Sequence, residues 1–317
     1  MDRQPIIIAH RGASGYLPEH TLEAKALAYA MGADFIEQDI VLTADDVPIV
    51  VHDIHLDTVT DVSKVFPDRC RADGRFYAAD LTLSEVKQLR VIERNHHNTQ
   101  HPVFPQRFPV GASRFEVATL AEEIELIQGL NKSTGRSIGI YPEIKNPKWH
   151  RVQEKDISRI VLNLLSDYGY RRSSDNVYLQ CFDPRETQRI CCDLKSELKL
   201  IQLIGENSWG GGDVDYEDFR TQAGLQKIAA FACGIGPHLG HVVSGKVHGE
   251  LVITDLVSTA HRCSLEVHPY TFRADDLPEY ATSLEDLLEI FLEKIGVEGV
   301  FTDFPDRAAK FLMDSMS

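Results

Sequence analysis

Residues 34–53, DFIEQDIVLTADDVPIVVHD, decide the fold. Phe35, Ile36, Ile40 and Val41 make 34–42 a short apolar strand, and 47–53, VPIVVHD, reads as a second strand pairing back on it. Glu37 and Asp39 are two residues apart, so on a strand they share one face. Two carboxylates pointing inward together cost free energy unless a cation neutralises them. A solvated polar face fits poorly with the apolar neighbours, so spacing alone points to metal ligation.

Working outward, short apolar strands alternate with helical patterns along most of the chain. The further strands are PIIIAH (5–10), SIGIYPEIK (137–145), NVYLQCF (176–182), LKLIQLIG (198–205), ACGIGPH (232–238), SLEVHPY (264–270) and GVFTDF (299–304). Helical stretches fall between them at TLEAKALAYAMG (21–32), EKDISRIVLNLLSDYG (154–169), PRETQRICCDL (184–194) and SLEDLLEIFLEKIG (283–296). Thr21 or His20 would cap the first, and Ser283 with Asp286 resembles a capping box for the last. Eight strands in such alternation predict a parallel α/β barrel of the (β/α)8 TIM type. A doubly wound open sheet is the alternative, but the Gly-rich phosphate turn expected after its first strand is missing. Residues 54–118 break the pattern and read as an insertion between the second and third barrel strands, either a surface excursion or a cap near the site. The expected organisation is one barrel domain over residues 1–317 carrying that insertion.

The chain has 317 residues, 43% hydrophobic and 26% charged, with a net charge of −15. That acidity argues against nucleic acid as a partner and against stable association with an anionic membrane. No apolar run approaches the ~18 residues of a membrane-spanning helix. The opening MDRQPIIIAHRG lacks the long apolar stretch and cleavage site of a signal peptide, which fits a cytoplasmic protein or one whose leader has been removed. The six cysteines form no C-x-x-C pair, so neither zinc nor a redox site is indicated, and buried or inert thiols are expected.

In such a barrel, polar residues at the carboxyl ends of strands make the default site. His10-Arg11-Gly12 follows the first strand directly, and a charged pair there should emerge at the rim. Glu143 and Lys145 repeat the shared-face spacing on the third barrel strand. Glu37, Asp39 and Glu143 together make an all-oxygen donor set suited to a hard divalent cation. Arg11 and Lys145 supply permanent positive charge for a phosphate group. His52 ends the VPIVVHD strand and pairs in kind with His10. Near-neutral histidines can take a proton from a nucleophile and return one to a leaving alkoxide. That combination is phosphodiester cleavage chemistry.

HRGASGYLPEHTLEA (10–24), GADFIEQDIVLT (32–43), VVHD (50–53), YPEIK (141–145), VYLQCFD (177–183), VHPYT (267–271) and GVFTDFPD (299–306) resemble the motifs of the glycerophosphodiester phosphodiesterases. The likeness is to the longer, periplasmic bacterial type and extends over the insertion and the GIGPH segment. It implies a TIM-type barrel, a periplasmic location and one divalent cation, Ca2+ in this longer type and Mg2+ in others. It implies hydrolysis of small glycerophosphodiesters, such as glycerophosphocholine or glycerophosphoethanolamine, to an alcohol and sn-glycerol 3-phosphate, and so a place in glycerol and lipid metabolism. The catalytic histidines then fall on His10 and His52, the metal carboxylates on Glu37, Asp39 and Glu143, and the phosphate-binding cations on Arg11 and Lys145. Gln180, Phe182, His268, Tyr270, Asp303 and Phe304, all at strand ends, are candidates either for pocket walls or for packing and supporting roles behind them, and a monomer or homodimer is expected. Many relatives carry Asn where this chain has His20, which reads as a loop-ordering residue. Two rival readings remain: a lipid-directed phosphodiesterase on the same fold, disfavoured by the polar insertion, and a non-catalytic binding barrel, disfavoured because no site residue is lost.

Overall fold

The computed structural model describes residues 4–209 and 214–315; residues 1–3, at the start of the opening stretch that lacks signal-peptide features, lie outside the described residues. In chain order the strands are β1 (Ile6–Ala9), β2 (Phe35–Leu42), β3 (Pro48–Val50), β4 (Gly139–Ile144), β5 (Tyr178–Cys181), β6 (Lys199–Ile204), β7 (Gly234–Pro237), β8 (Val243–Val247), β9 (Glu250–Ile253), β10 (Glu266–Val267) and β11 (Gly299–Thr302). Eight of them lie side by side in the order β10-β7-β6-β5-β4-β2-β1-β11, each ladder parallel. The ends of this series meet. The Phe301 N–H donates to the Pro269 carbonyl at 3.1 Å and the Phe272 N–H to that of Phe301 at 2.8 Å, so the barrel is nearly closed. An open doubly wound sheet would keep those edges apart.

The strand sequences follow from this architecture. β2 is buried at every position, as a parallel strand covered on both faces should be. β3 turns back antiparallel on it, with Val50 opposite Ile40 and Pro48 opposite Leu42. Proline is tolerated there because the pairing is at a strand end. Inside the barrel, Ile8, Phe35, Tyr141, Tyr178, Ile201 and Phe301 pack together. Outside it, helices lay apolar stripes on the strands; Ile157, Val161 and Leu165, spaced by four, are the buried stripe of Ile157–Asp167. Burying each such aliphatic side chain stabilises the fold by roughly 1.5–3 kcal/mol.

Thr21, not His20, caps the first helix, accepting from the Ala24 N–H at 3.2 Å. Ser283 caps Leu284–Leu288, but the Asp286 carboxylate reaches the N–H of Thr282 instead of returning to Ser283, so no reciprocal box forms. The thiols vary in burial. All six are unpaired, yet only Cys181 is fully buried, while Cys70 in the insertion and Cys192 at a helix end face solvent.

The insertion contains short helical turns and its own apolar cluster. Leu56, Val59, Val62, Phe76, Leu81, Val86, Leu89, Val91 and Phe115 pack with Val41 of β2 and Ile49 of β3. That contact anchors it to the strand that bears the acidic pair.

Candidate active site

The chain leaves β1 in a tight turn, with φ of 60° at Arg11 and 88° at Gly12. A Cβ on Gly12 would lie 2.9 Å from the carbonyl carbon and oxygen of Ala24, so glycine is what lets the first helix pack against this turn. The turn is fixed by the Ala13 N–H donating to Ala24 O at 2.9 Å and by the Arg11 N–H donating to Glu37 Oε2 at 2.9 Å. His10 and Arg11 are thereby held at the rim, beside the carboxylates of β2.

Parallel pairing places Asp39 opposite Glu143. Carboxylate oxygens of Glu37, Asp39 and Glu143 lie within 4.8 Å of one another, and all three residues are buried. Burial, then the charge of Asp39, pushes the Glu37 carboxyl well above its usual range. Burial and the same neighbour push Glu143 up to about 8, against the pull of Lys145. Asp39 is held low in spite of its burial, because Lys145 and His20 stand against it. Two of the three carboxyls thus favour protons where no further positive charge is supplied. Asp39 Oδ1 is buried without a hydrogen-bond donor. A hard divalent cation fits this all-oxygen set and would take the place of those protons.

Lys145 Nζ lies 2.7 Å from Glu143 Oε1 and 3.6 Å from Asp39 Oδ1. Arg11 Nε lies 3.5 Å from Asp39 Oδ2, and Nη1 donates to both oxygens of Glu19 at 3.1 and 3.0 Å. His20 Nε2 contacts Asp39 Oδ2 at 2.7 Å and Lys25 Nζ approaches its Nδ1 at 3.1 Å. His20 therefore orders the acidic centre as well as its loop.

Each rim histidine has Nδ1 on a carboxylate. His10 Nδ1 meets Asp303 Oδ1 at 2.5 Å, and His52 Nδ1 meets Asp53 Oδ1 at 2.7 Å. A carboxylate partner fixes the proton on Nδ1 and leaves the Nε2 lone pair for the cavity. Burial, then the Arg11 charge, lowers His10 to about 4 against the opposing pull of Asp303. Burial, Arg11 and Lys145 lower His52 as well. Both rings are accordingly neutral near pH 7 in the absence of a bound anion.

A cavity of about 1030 Å³ opens onto these groups, with His10, Arg11, Glu37, His52, Glu143 and Lys145 in its lining. Asp39 lies behind it. Gln180 and Phe182 from the end of β5 and Tyr270 after β10 line the same cavity, and Gln180 Nε2 donates to Glu37 Oε1 at 3.0 Å. The other three strand-end candidates lie outside the lining and take packing or supporting roles. His268 is fully buried in the aromatic layer within the barrel, its Nδ1 2.9 Å from the Tyr141 hydroxyl. Tyr270, two residues on along the same face, reaches the cavity instead. Phe304 packs edge-on against Tyr16 over Gly15, in the core between barrel and helices. Asp303 is not a wall but the partner of His10. Asp53, Glu19, Arg94 and Arg107 went unassigned in the sequence; the His52-Asp53 adjacency was the available signal for the first.

A barrel rim that combines clustered carboxylates, buried cations and two carboxylate-held imidazoles defines a phosphoric ester hydrolase. Residues 10–307 match the model of the glycerophosphoryl diester phosphodiesterase family. The glycerophosphodiester phosphodiesterase of Haemophilus influenzae is 44% identical, with 98% of this chain and 91% of that protein covered. That of Treponema pallidum is 39% identical, with 97% and 91% covered. The solved structure of a Silicibacter pomeroyi protein shares the fold at a TM-score of 0.73 and 24% identity, covering 100% of this chain and 95% of that one. An Oleispira antarctica phosphodiesterase, solved in complex with the product sn-glycerol-3-phosphate, shares it at 0.64 and 19% identity, covering 98% and 97%. The chain belongs to the glycerophosphoryl diester phosphodiesterase family, whose members are phosphoric diester hydrolases.

Proposed function

We propose that this protein hydrolyses water-soluble glycerophosphodiesters, such as glycerophosphocholine or glycerophosphoethanolamine, to an alcohol and sn-glycerol 3-phosphate, using His10 and His52 as the proton-transfer pair. The observation that carries this is the paired arrangement His10–Asp303 and His52–Asp53 beside the cluster Glu37, Asp39 and Glu143.

Arg11 and Lys145 receive the phosphate group, and Gln180 holds Glu37 in place. One neutral histidine accepts the proton of the attacking hydroxyl at Nε2; the other takes up a proton from solvent at Nε2 when the anionic phosphate binds, and gives it to the alkoxide as the P–O bond to the alcohol breaks. The Nδ1 carboxylates stabilise whichever imidazole becomes cationic. Glu37, Asp39 and Glu143 would hold one divalent cation, Ca2+ in preference to Mg2+, which when bound supplies positive charge beside the reacting phosphate. Phe182, Trp209, Tyr216 and Tyr270 give the cavity apolar surface for the alcohol portion. The attacking hydroxyl is either the 2-hydroxyl of the glycerol, giving a cyclic phosphate that water opens, or water itself. Full turnover of a substrate lacking the 2-hydroxyl excludes the cyclic route.

Glycerophosphocholine compared with lysophosphatidylcholine tests the substrate class. Turnover of the first and not the second is expected; preference for the lipid overturns the proposal.

A further inference from the structure

The insertion sends two arginines beneath the site. Arg94 Nη1 donates to Asp53 Oδ2 at 2.7 Å, while its Nε and Nη2 grip Glu19 at 2.8 and 2.6 Å. Asp53 holds His52, and Glu19 holds Arg11. Arg107 repeats the arrangement on the other histidine. Its Nη2 donates to Asp303 Oδ2 at 2.7 Å, its Nε and Nη2 to Asp275 at 2.8 and 3.0 Å, and its Nη1 to the Ser14 carbonyl at 3.2 Å. Asp303 gives its other oxygen to His10.

The side chains of Arg94 and Arg107 are only 16% and 5% exposed, whereas Arg90 of the same insertion lies in solvent. Neither arginine lines the cavity, so neither is placed to touch substrate. A carboxylate bonded through one oxygen only is free to rotate. One that also accepts, on its second oxygen, an N–H of a guanidinium itself gripped through two nitrogens by another carboxylate, Glu19 for Arg94 and Asp275 for Arg107, is fixed in plane, and the imidazole on it is aimed.

We infer that the insertion orients both histidines, Arg94 through Asp53 and Arg107 through Asp303, as positioning residues of the reaction. The inference rests on the proton-transfer roles proposed above for His10 and His52. It also carries an asymmetry. Arg273 Nε reaches the same Asp303 oxygen at 2.8 Å, so that carboxylate keeps a second clamp. On its outer oxygen Asp53 has, among the described residues, Arg94 and the more distant Thr58 hydroxyl at 3.5 Å. Loss of Arg94 should therefore matter more.

The test uses the full chain with Arg94→Gln, Arg94→Lys, Arg107→Gln and Arg107→Lys, alongside His10→Ala and His52→Ala. Glycerol 3-phosphate release from glycerophosphocholine gives kcat and KM, and proton NMR follows the low-field Nδ1–H signals, assigned by the two alanine variants. Arg94→Gln should lower kcat on the order of tenfold or more. It should abolish the His52 signal and leave that of His10 intact. Arg107→Gln should act more weakly and on the His10 signal alone. Each lysine variant, which keeps the charge that the buried carboxylates need, should recover part of kcat, and it carries the test if a glutamine variant does not fold. Wild-type kcat and an undisturbed His52 signal in Arg94→Gln or Arg94→Lys, with His52→Ala inactive, overturn this inference and spare the catalytic assignment. Full activity in both alanine variants overturns the catalytic assignment and this inference with it.

Discussion

His10 Nδ1 lies 2.5 Å from Asp303 Oδ1, across 293 positions of sequence. Barrel closure brings them together. Ala9 and Thr302 are the last register partners of β1 and β11, and His10 and Asp303 each follow one residue later. A dyad built on neighbouring parallel strands is aimed by the barrel itself, since strand ends are more rigid than loops.

Removing either histidine should stop chemistry without unfolding the protein. His52→Ala is expected to lower kcat by roughly 10²–10⁴-fold, and His10→Ala by a similar factor. Circular dichroism and the unfolding midpoint should stay near wild type. Full retained activity in either variant would defeat the assignment of that histidine.

The Asp303 carboxyl is held well below its usual range: burial opposes ionisation, but Arg273, His10 and Arg107 overcome it. A lowered folded-state pKa gives stability that is present above the ordinary Asp value of about 3.9 and is lost as pH falls through the folded value. Asp303→Asn should accordingly destabilise at neutral pH, by about 3–5 kcal/mol if the cations are left unpaired. The gap from wild type should narrow as pH falls below about 4. Urea unfolding at pH 7 and pH 3.5 measures both; a gap that does not change with pH would contradict the ion-pair account.

Gly12→Ala tests the turn that presents Arg11. The positive φ and the Ala24 carbonyl 2.9 Å from the new Cβ predict a loss of at least about 1–3 kcal/mol. Displacement of Arg11 should also raise KM. Kinetics together with thermal melting check the two effects separately.

The acidic centre predicts a metal effect on the fold that needs no substrate. A cation that binds the folded state and not the unfolded one stabilises it by about 2.7 kcal/mol at a hundred times its dissociation constant. Ca2+ should raise the melting temperature of chelator-treated wild type and leave that of Asp39→Asn nearly unchanged. Equal shifts in the two would place the ion elsewhere.

The barrel was legible because its signal is local: apolar runs of strand length, with helical stripes between them, survive in a single sequence. Glu37 with Asp39, and Glu143 with Lys145, were legible for the same reason, since a period of two fixes a shared face. The second layer was not. Arg94 and Arg107 sit in a stretch with no regular period, and their partners Asp53, Glu19 and Asp303 come from three other parts of the chain. Whether His268 and Phe304 face the pocket or pack was not legible, because a strand end names a height in the barrel but not a direction. One points into the aromatic layer below the cavity and the other toward the helices.

The most direct measurement is glycerol 3-phosphate release from a panel of glycerophosphodiesters, before chelation, after it, and after adding back Ca2+ or Mg2+. The account predicts release from glycerophosphocholine and glycerophosphoethanolamine, loss on chelation, and recovery with Ca2+ above that with Mg2+. Undiminished release from a fully chelated enzyme, or no glycerol 3-phosphate from any diester with metal present, would contradict it.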